Sequence, residues 1–137
     1  MSAAFILKTE PSSYSFQDLV RDKKTVWDGI SNPTALKNLR TVEKGDVLFI
    51  YHTGDEKQVV GLAHATSAAY PDPKLSDPKR VVIDIAADRA LPEPVTLATF
   101  RADAVLKATD LVRLSRLSVV PLNAAQLARV RKLAGAN

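Results

Sequence analysis

The sequence DVLFIYH, from Asp46 to His52, carries the strongest strand pattern in the chain. It follows the turn Lys44-Gly45, and its β-branched and aromatic residues fit the pleated, half-buried surface of a sheet. The polar segment 53–57 separates it from a second apolar run at 58–69. A short polar connection between two such runs is typical of a β-hairpin, so we predict one here.

Outward from this hairpin, three further strands are predicted. Residues 5–7 form an apolar run that predicts a strand. Pro11 stops this strand, because proline cannot donate to a strand ladder. Residues 80–90 alternate apolar and polar side chains, which indicates a half-buried strand that ends in a turn at 91–94. A last strand is predicted at 117–120.

Helices are predicted wherever a capping residue precedes an apolar stripe. Ser15 begins the first in a capping box, Asn32 followed by proline begins the second, and Thr96 and Asn123 begin two more. Gly135 ends the last one. Short strands mixed with short helices, and no βαβ repeat, predict an α+β domain with a curved, mostly antiparallel sheet closed into a small barrel.

The composition limits the possible classes of protein. A chain of 137 residues, 46% hydrophobic, predicts a single domain over residues 1–137. No apolar run approaches the ~20 residues of a membrane span, and the N-terminus lacks a secretory pattern, so we expect no membrane partner. The chain has no cysteine, which excludes disulfides, thiolate zinc sites and cysteine catalysis, and agrees with a cytoplasmic location.

The net charge of +4 and the pI of about 9.5 favour anionic partners, with nucleic acid first. The alternative is that this charge serves solubility alone. The last 25 residues contain five basic side chains and no acidic one, so this end is a basic patch.

The signals for an enzyme are weak. His52 and His64 have no third ligand at metal spacing, so no metal site is expected, and the nucleophile-elbow, P-loop and dinucleotide motifs are missing from the sequence. We predict no catalytic residue and no cofactor. The alternative is an acid–base catalytic group formed by Glu10, Asp28 and His52.

The signals for binding lie where polar residues follow strands. Trp27, the one tryptophan, occupies a short polar stretch that is predicted to be a turn, and Tyr51 lies near the end of the central strand. Flat aromatic faces stack on bases at ~1–3 kcal/mol each. The alternative for Trp27 is a core residue whose indole N–H bonds a carbonyl. Short side chains that can donate or accept hydrogen bonds to the edge of a base are found at Thr9, Asp28, Asn32 and Thr53.

Eight segments occur in order along the chain: LKTEP (7–11), YSFQDL (14–19), VWDGISN (26–32), ALKNLR (35–40), KGDVLFIYHTG (44–54), VGLAHA (60–65), AYPDP (69–73) and RLSVVPL (116–122). Together they resemble the EVE domain family across essentially the whole chain. The resemblance implies a PUA-like barrel flanked by helices. It also implies a non-enzymatic reader of a modified base, a cytosine or adenine derivative in DNA or RNA, taken out of its stack.

The resemblance also implies the site. It places the pocket wall at Trp27, in the family's WDG motif. The other base-binding residues are Thr9, Asp28, Asn32, Tyr51, His52 and Thr53. The candidate phosphate contacts are Lys8, Arg40 and Arg116. The chain departs from the family pattern at Thr9 and Thr53, where serine is usual, at Ser31, where arginine is usual, and at Pro33, where an aromatic residue is common.

Three functions therefore stay open. The first is a binding module for a modified base in nucleic acid. The second is a sensor of a free base or nucleoside that uses the same pocket, and the third is a nucleotide or base hydrolase that uses Glu10, Asp28 or His52. The sequence leaves the oligomeric state open.

Overall fold

The structure is a computed structural model that describes residues 3–136. The strands are β1 (Ala4–Thr9), β2 (Lys24–Trp27), β3 (Val47–His52), β4 (Gln58–Ala65), β5 (Tyr70–Pro71), β6 (Val81–Thr96) and β7 (Val119–Leu122). The helices are α1 (Phe16–Asp22), α2 (Pro33–Leu39), α3 (Leu97–Ala102), α4 (Asp110–Arg113) and α5 (Ala124–Ala134), with a 3₁₀ turn at Leu106–Ala108.

The strands form one mixed sheet in the order β2-β6-β4-β3-β1-β7, and β5 pairs with β6. β1 and β3 are parallel, whereas the other pairs are antiparallel. The predicted α+β class and mostly antiparallel sheet are confirmed. The predicted closure into a barrel is wrong for the described residues, because the short strands β2 and β7 each pair on one side and leave two open edges.

The core is a single cluster between the sheet and the helices packed on it. Phe16, at the start of α1, lies directly over Gly61 of β4, where an added Cβ would overlap the phenyl ring. This glycine therefore sets how closely α1 approaches the sheet. No helix in residues 3–136 combines the length and apolar character needed to cross a membrane.

The local hydrogen bonds predicted from sequence are present. Ser15 and Asn123 form reciprocal capping boxes at α1 and α5, Asn32 caps α2, and Thr96 caps α3. The predicted hairpin is β3 and β4. Gly135 ends α5 in the left-handed conformation.

Two local predictions are wrong. Trp27 is the last residue of β2 and not part of a turn, because residues 24–27 pair with 83–86 of β6. The turn predicted at 91–94 lies inside the continuous strand β6. The ladder passes from Val59↔Val95 to Gly61↔Ala90, so residues 91–94 form a bulge that tolerates two prolines.

Candidate functional site

A pocket of about 250 Å³ opens where β1 and β2 end. β1 contributes Thr9, and β2 with the next residue contributes the rest of one side. The pocket-lining residues are Thr9, Tyr14, Thr25, Val26, Trp27 and Asp28. We call this the Trp27 pocket. The structure thus brings together three of the predicted base-binding residues, at positions 9, 27 and 28.

Trp27 is fixed by the sheet on one side and by a turn on the other. Its backbone pairs with Ile83 of β6, and Gly29 two residues later has a φ of 79°, which a residue with a Cβ rarely adopts. The side chain is 7% exposed. The ring meets Tyr14 edge to face, with centroids 6.3 Å apart and planes at 78°. Trp27 is therefore both a packed residue and a pocket wall.

The indole N–H of Trp27 has no hydrogen-bond partner in residues 3–136, which differs from a core tryptophan bonded to a carbonyl. Arg131 Nε is the one fully buried side-chain polar atom of the described residues without a partner. The indole nitrogen therefore reaches solvent, and it is free to donate to a bound molecule.

Sequence reasoning missed three pocket residues, Tyr14, Thr25 and Val26, of which Tyr14 contacts the Trp27 ring. The Tyr14 hydroxyl donates to Asp22 Oδ2 at 2.9 Å, and its carbonyl accepts from Thr9 Oγ1 at 2.6 Å. Burial, followed by the hydrogen bond to Asp22, raises the pKa of the Tyr14 hydroxyl. The available signal was its place just before the Ser15 N-cap, where the chain turns from β1 into α1.

Asp28 lies at the mouth of the pocket. It is exposed, and its carboxylate accepts no hydrogen bond from another described residue. A carboxylate next to a free N–H offers an acceptor and a donor to one flat polar molecule. Val26, 46% exposed, adds an apolar contact on the same strand.

His52, Tyr51 and Thr53 do not line the Trp27 pocket. His52 is 2% exposed, its Nε2 accepts the Phe16 N–H at 2.9 Å, and its Nδ1 lies 2.9 Å from Glu56 Oε1. Tyr51 is 4% exposed. Thr53 donates its N–H and its hydroxyl to the Thr9 carbonyl, at 2.9 and 3.3 Å. These three residues hold the end of β3 against β1 and α1.

Asn32 and Arg116 line a second pocket of about 360 Å³, and Lys8 contacts Ser115, another of its lining residues. Asn32 Oδ1 accepts the Ala35 N–H at 3.0 Å, so its side chain caps α2. Arg116 is exposed beside it. Lys8 Nζ donates to the Ser115 carbonyl at 2.8 Å and lies 5.6 Å from the Tyr51 ring centroid. Burial lowers the pKa of Lys8.

Arg40 lies in a third and larger groove of about 640 Å³. Ser31 and Pro33, two of the positions where the chain departs from the family pattern, line this groove. Asp28, which lines the Trp27 pocket, belongs to the same loop as Ser31 and Pro33. The loop 28–33 thus contributes to both the Trp27 pocket and the groove.

The chemistry of the Trp27 pocket suits binding more than bond breaking. Its polar side chains are Thr9 and Tyr14, whose hydroxyls already donate, together with Thr25, the indole N–H of Trp27 and the carboxylate of Asp28. Within residues 3–136, no group of three or more potential metal ligands comes together. A small planar molecule with a donor and an acceptor fits this set.

Comparison with known proteins gives a consistent result. A profile of the EVE domain family matches residues 3–133. Human thymocyte nuclear protein 1 is 28% identical over 156 aligned positions, which cover 89% of this chain and 69% of the human protein. A protein from Rhodopseudomonas palustris, solved by NMR, is 37% identical with a TM-score of 0.91, covering 97% of this chain and 93% of that one.

The human THYN1 protein has been crystallised in complex with DNA that contains 5-methylcytosine. It has 26% identity and a TM-score of 0.88, over 97% of this chain and 98% of that chain. At the level of fold alone, an ASCH protein from Zymomonas mobilis is similar, with 14% identity and a TM-score of 0.61 over 95% and 94% of the two chains. The predicted PUA-like fold is confirmed.

Proposed function

This chain belongs to the EVE domain family, and on that footing we propose that it is a non-catalytic module that reads a modified base in nucleic acid. The base enters the Trp27 pocket. Its class is a modified cytosine or adenine, in DNA or RNA. DNA with a modified cytosine is the first partner to test, because the related human protein is known in complex with such DNA.

The free indole N–H of Trp27 is the observation that carries the proposal. Buried polar groups in proteins are almost always paired. Trp27 is 7% exposed, its N–H has no protein partner in the described part of the chain, and the residue lines a pocket. A donor left in this state supports a role in binding a ligand.

The size of the pocket supports a single base. Pockets for drug-sized ligands are ~300–1,000 Å³. The Trp27 pocket, at about 250 Å³, is smaller and suits one heterocycle without its sugar and phosphate. A base held this way must leave its stack, at a cost of roughly a few kcal/mol.

The pocket residues then have separate roles in the reading. Trp27 donates its N–H to an acceptor on the base, and Asp28 accepts from an exocyclic amine. Tyr14 supplies a second aromatic wall. Val26 offers the apolar contact that distinguishes a methylated base from an unmodified one.

The alternative functions make different use of the site. A hydrolase is predicted to use Glu10, Asp28 or His52. Of these three, Asp28 lines the pocket, whereas His52 is buried with both ring nitrogens bonded to the protein. A nucleoside sensor would use the same pocket, but its affinity would not depend on phosphate contacts. The cytoplasmic location and the single domain over 1–137 stay predictions.

Trp27→Phe is the sharpest test of the proposal. Replacement by alanine would cost about 3–5 kcal/mol of stability for a side chain this buried, which confuses folding with binding. Phenylalanine keeps an aromatic ring and removes the N–H. Tyr51→Phe is the matched control, because it removes one polar group from a buried aromatic residue outside the pocket.

The measurement is the dissociation constant for oligonucleotides that carry 5-methylcytosine, methylated adenine or the unmodified base. We expect the wild type and Tyr51→Phe to prefer one modified base. We expect Trp27→Phe to lose about fivefold of that preference, the worth of one hydrogen bond. Equal binding of modified and unmodified strands by the wild type would refute the proposal. Salt-independent binding of a free nucleoside would replace it with the sensor.

A further inference from the structure

A wide groove lined by the other end of the loop 28–33 differs from the Trp27 pocket in charge. Its volume is about 640 Å³. Three cations and one carboxylate line it, together with apolar and small residues. The lining residues are Ser31, Pro33, Leu36, Arg40, Asp77, Pro78, Lys79 and Arg80. We call it the Arg40–Arg80 groove.

The groove is tied to the Trp27 pocket through the backbone. Arg80 Nε donates to the Ile30 carbonyl at 2.8 Å, three residues after Trp27. Arg80 also comes directly before β6, in which Ile83 pairs with Trp27. The groove and the pocket are therefore connected through the loop 28–33, which lines both of them.

The two arginines are held without being neutralised. Arg40 Nη2 donates to the Lys79 carbonyl at 2.8 Å, and Arg80 Nε donates to the Ile30 carbonyl. Each guanidinium keeps its full charge and its other N–H groups, because a carbonyl is neutral. An arginine fixed in this way loses little freedom when it binds a phosphate.

Other arginines of residues 3–136 with side-chain hydrogen bonds are paired with carboxylates. Arg21 contacts Asp18 and Asp22, Arg113 contacts Asp110, and Arg129 contacts Asp103. Those charges are already compensated within the protein. Among the described arginines, anchoring by a carbonyl alone occurs at positions 40 and 80.

The single carboxylate of the groove does not cancel this charge. Asp77 Oδ1 accepts the Lys79 N–H at 2.9 Å, so its side chain closes the turn of the loop. The Asp77 carbonyl accepts the Arg80 N–H at 3.0 Å. The loop that carries Lys79 and Arg80 is thus ordered by its own hydrogen bonds before any ligand arrives.

We propose that the Arg40–Arg80 groove holds the phosphodiester backbone of the nucleic-acid strand next to the base in the Trp27 pocket. The inference rests on the proposed function for its partner. It adds Lys79 and Arg80 to the interface and sets the direction in which the strand leaves the pocket. Phosphate contacts in the groove fix the position of the strand, and the pocket reads the base.

The test compares Arg40→Gln, Lys79→Gln and Arg80→Gln with Arg89→Gln. Arg89 is an exposed residue of β6, up to about 30 Å along the strand from Arg80. It lines none of the pockets described above, and it gives the same change of charge. The dissociation constant is measured at several salt concentrations for a strand with the modified base and for the unmodified strand.

Each groove variant is expected to reduce the slope of log K against log salt by about 1 and to weaken both strands by the same factor. Arg89→Gln is expected to leave the slope at the wild-type value. The ratio between modified and unmodified strands stays unchanged in the groove variants. Wild-type slopes in the groove variants would overturn the inference.

The outcomes separate this inference from the proposed function. Loss of slope without any preference for the modified base in the wild type would refute the base reader and retain the backbone groove. A wild-type preference for the modified base, together with groove variants whose salt slopes equal the wild-type slope, would support the base reader and refute the backbone groove. If Arg80→Gln lowers the Tm, Arg40→Gln and Lys79→Gln decide the test, because the side chain of Lys79 anchors no backbone group in the described residues.

Discussion

Trp27 at the end of β2 and His52 at the end of β3 are both largely buried side chains with polar ring atoms, and they differ in their hydrogen bonds. At the end of β3, His52 has both ring nitrogens bonded and is 2% exposed. At the end of β2, Trp27 is nearly as buried, at 7%, and its N–H stays free. Burial is similar in the two places, whereas hydrogen-bond satisfaction differs.

This difference teaches how to separate a structural polar residue from a binding residue. A side chain whose hydrogen bonds are complete within the protein has nothing left for a ligand. A solvent-accessible donor on a largely buried side chain keeps its hydrogen-bonding capacity for a ligand, and one such bond is worth about 0.5–1.5 kcal/mol. We therefore treat the His52 end as part of the framework and the Trp27 end as the site.

The largest expected effect lies in the framework, at Gly61. A Cβ at this position would overlap the Phe16 ring, whose residue donates its N–H to His52. We expect Gly61→Ala to lower the free energy of unfolding by about 3 kcal/mol, the upper range for overpacking. Urea denaturation measures it. A variant as stable as the wild type would show that α1 does not need this close approach.

His52→Ala is next in size and tests the framework role of this histidine. It leaves the Phe16 N–H buried without a partner, which we expect to cost about 2 kcal/mol of unfolding free energy. The folded variant should keep the preference for the modified base. Glu56→Gln, which retains an acceptor for Nδ1, is the control and should stay within about 0.5 kcal/mol. Loss of preference in a fully folded His52→Ala would place His52 in the site.

Tyr14→Phe sharpens the comparison on the pocket side. It removes the hydrogen bond to Asp22 and keeps the edge-to-face contact with Trp27. We expect a loss of about 1 kcal/mol in stability and a smaller preference for the modified base, because the second wall is less firmly held. Binding titrations with modified and unmodified strands measure the preference. A preference equal to the wild-type value would remove Tyr14 from the reading of the base.

Lys23→Gly has the smallest expected effect and probes backbone strain at the start of the pocket strand. Lys23 has a φ of 68°, which costs a residue with a Cβ roughly 1–2 kcal/mol. The added flexibility of glycine offsets part of the gain, so we expect about 0.5 kcal/mol of stabilisation. Lys24→Gly, within β2, should destabilise instead. Thermal unfolding distinguishes the two, and destabilisation by both would show that Lys23 is not strained.

The elements that the sequence predicted are those that local hydrogen bonds define. Ser15, Asn32 and Asn123 cap their helices with side-chain bonds that span three residues, so a short window contains the whole signal. The hairpin of β3 and β4 is equally local, since the five residues 53–57 connect its strands. The proposed base-binding residues Thr9, Trp27 and Asp28 were suggested by their place after predicted strands and by the family resemblance.

The features that sequence reasoning missed depend on contacts between distant residues. β2 exists because Trp27 pairs with Ile83, 56 positions later, and four residues with mixed polarity give no strand pattern of their own. The groove needs Arg40 and Arg80 on separate segments that only the fold brings together. The role of His52 was ambiguous for the same reason, because its partner Phe16 lies 36 residues earlier.

The most direct test of the central claim uses the fact that Trp27 is the one tryptophan in the chain. Its indole N–H gives a single signal in a ¹H–¹⁵N NMR spectrum, which can be followed during titration with an oligonucleotide. We predict that a strand with the modified base shifts this signal at stoichiometric concentration, and that the unmodified strand shifts backbone signals of the groove and leaves the indole signal in place. An indole signal that stays unmoved while the modified strand binds would contradict the account.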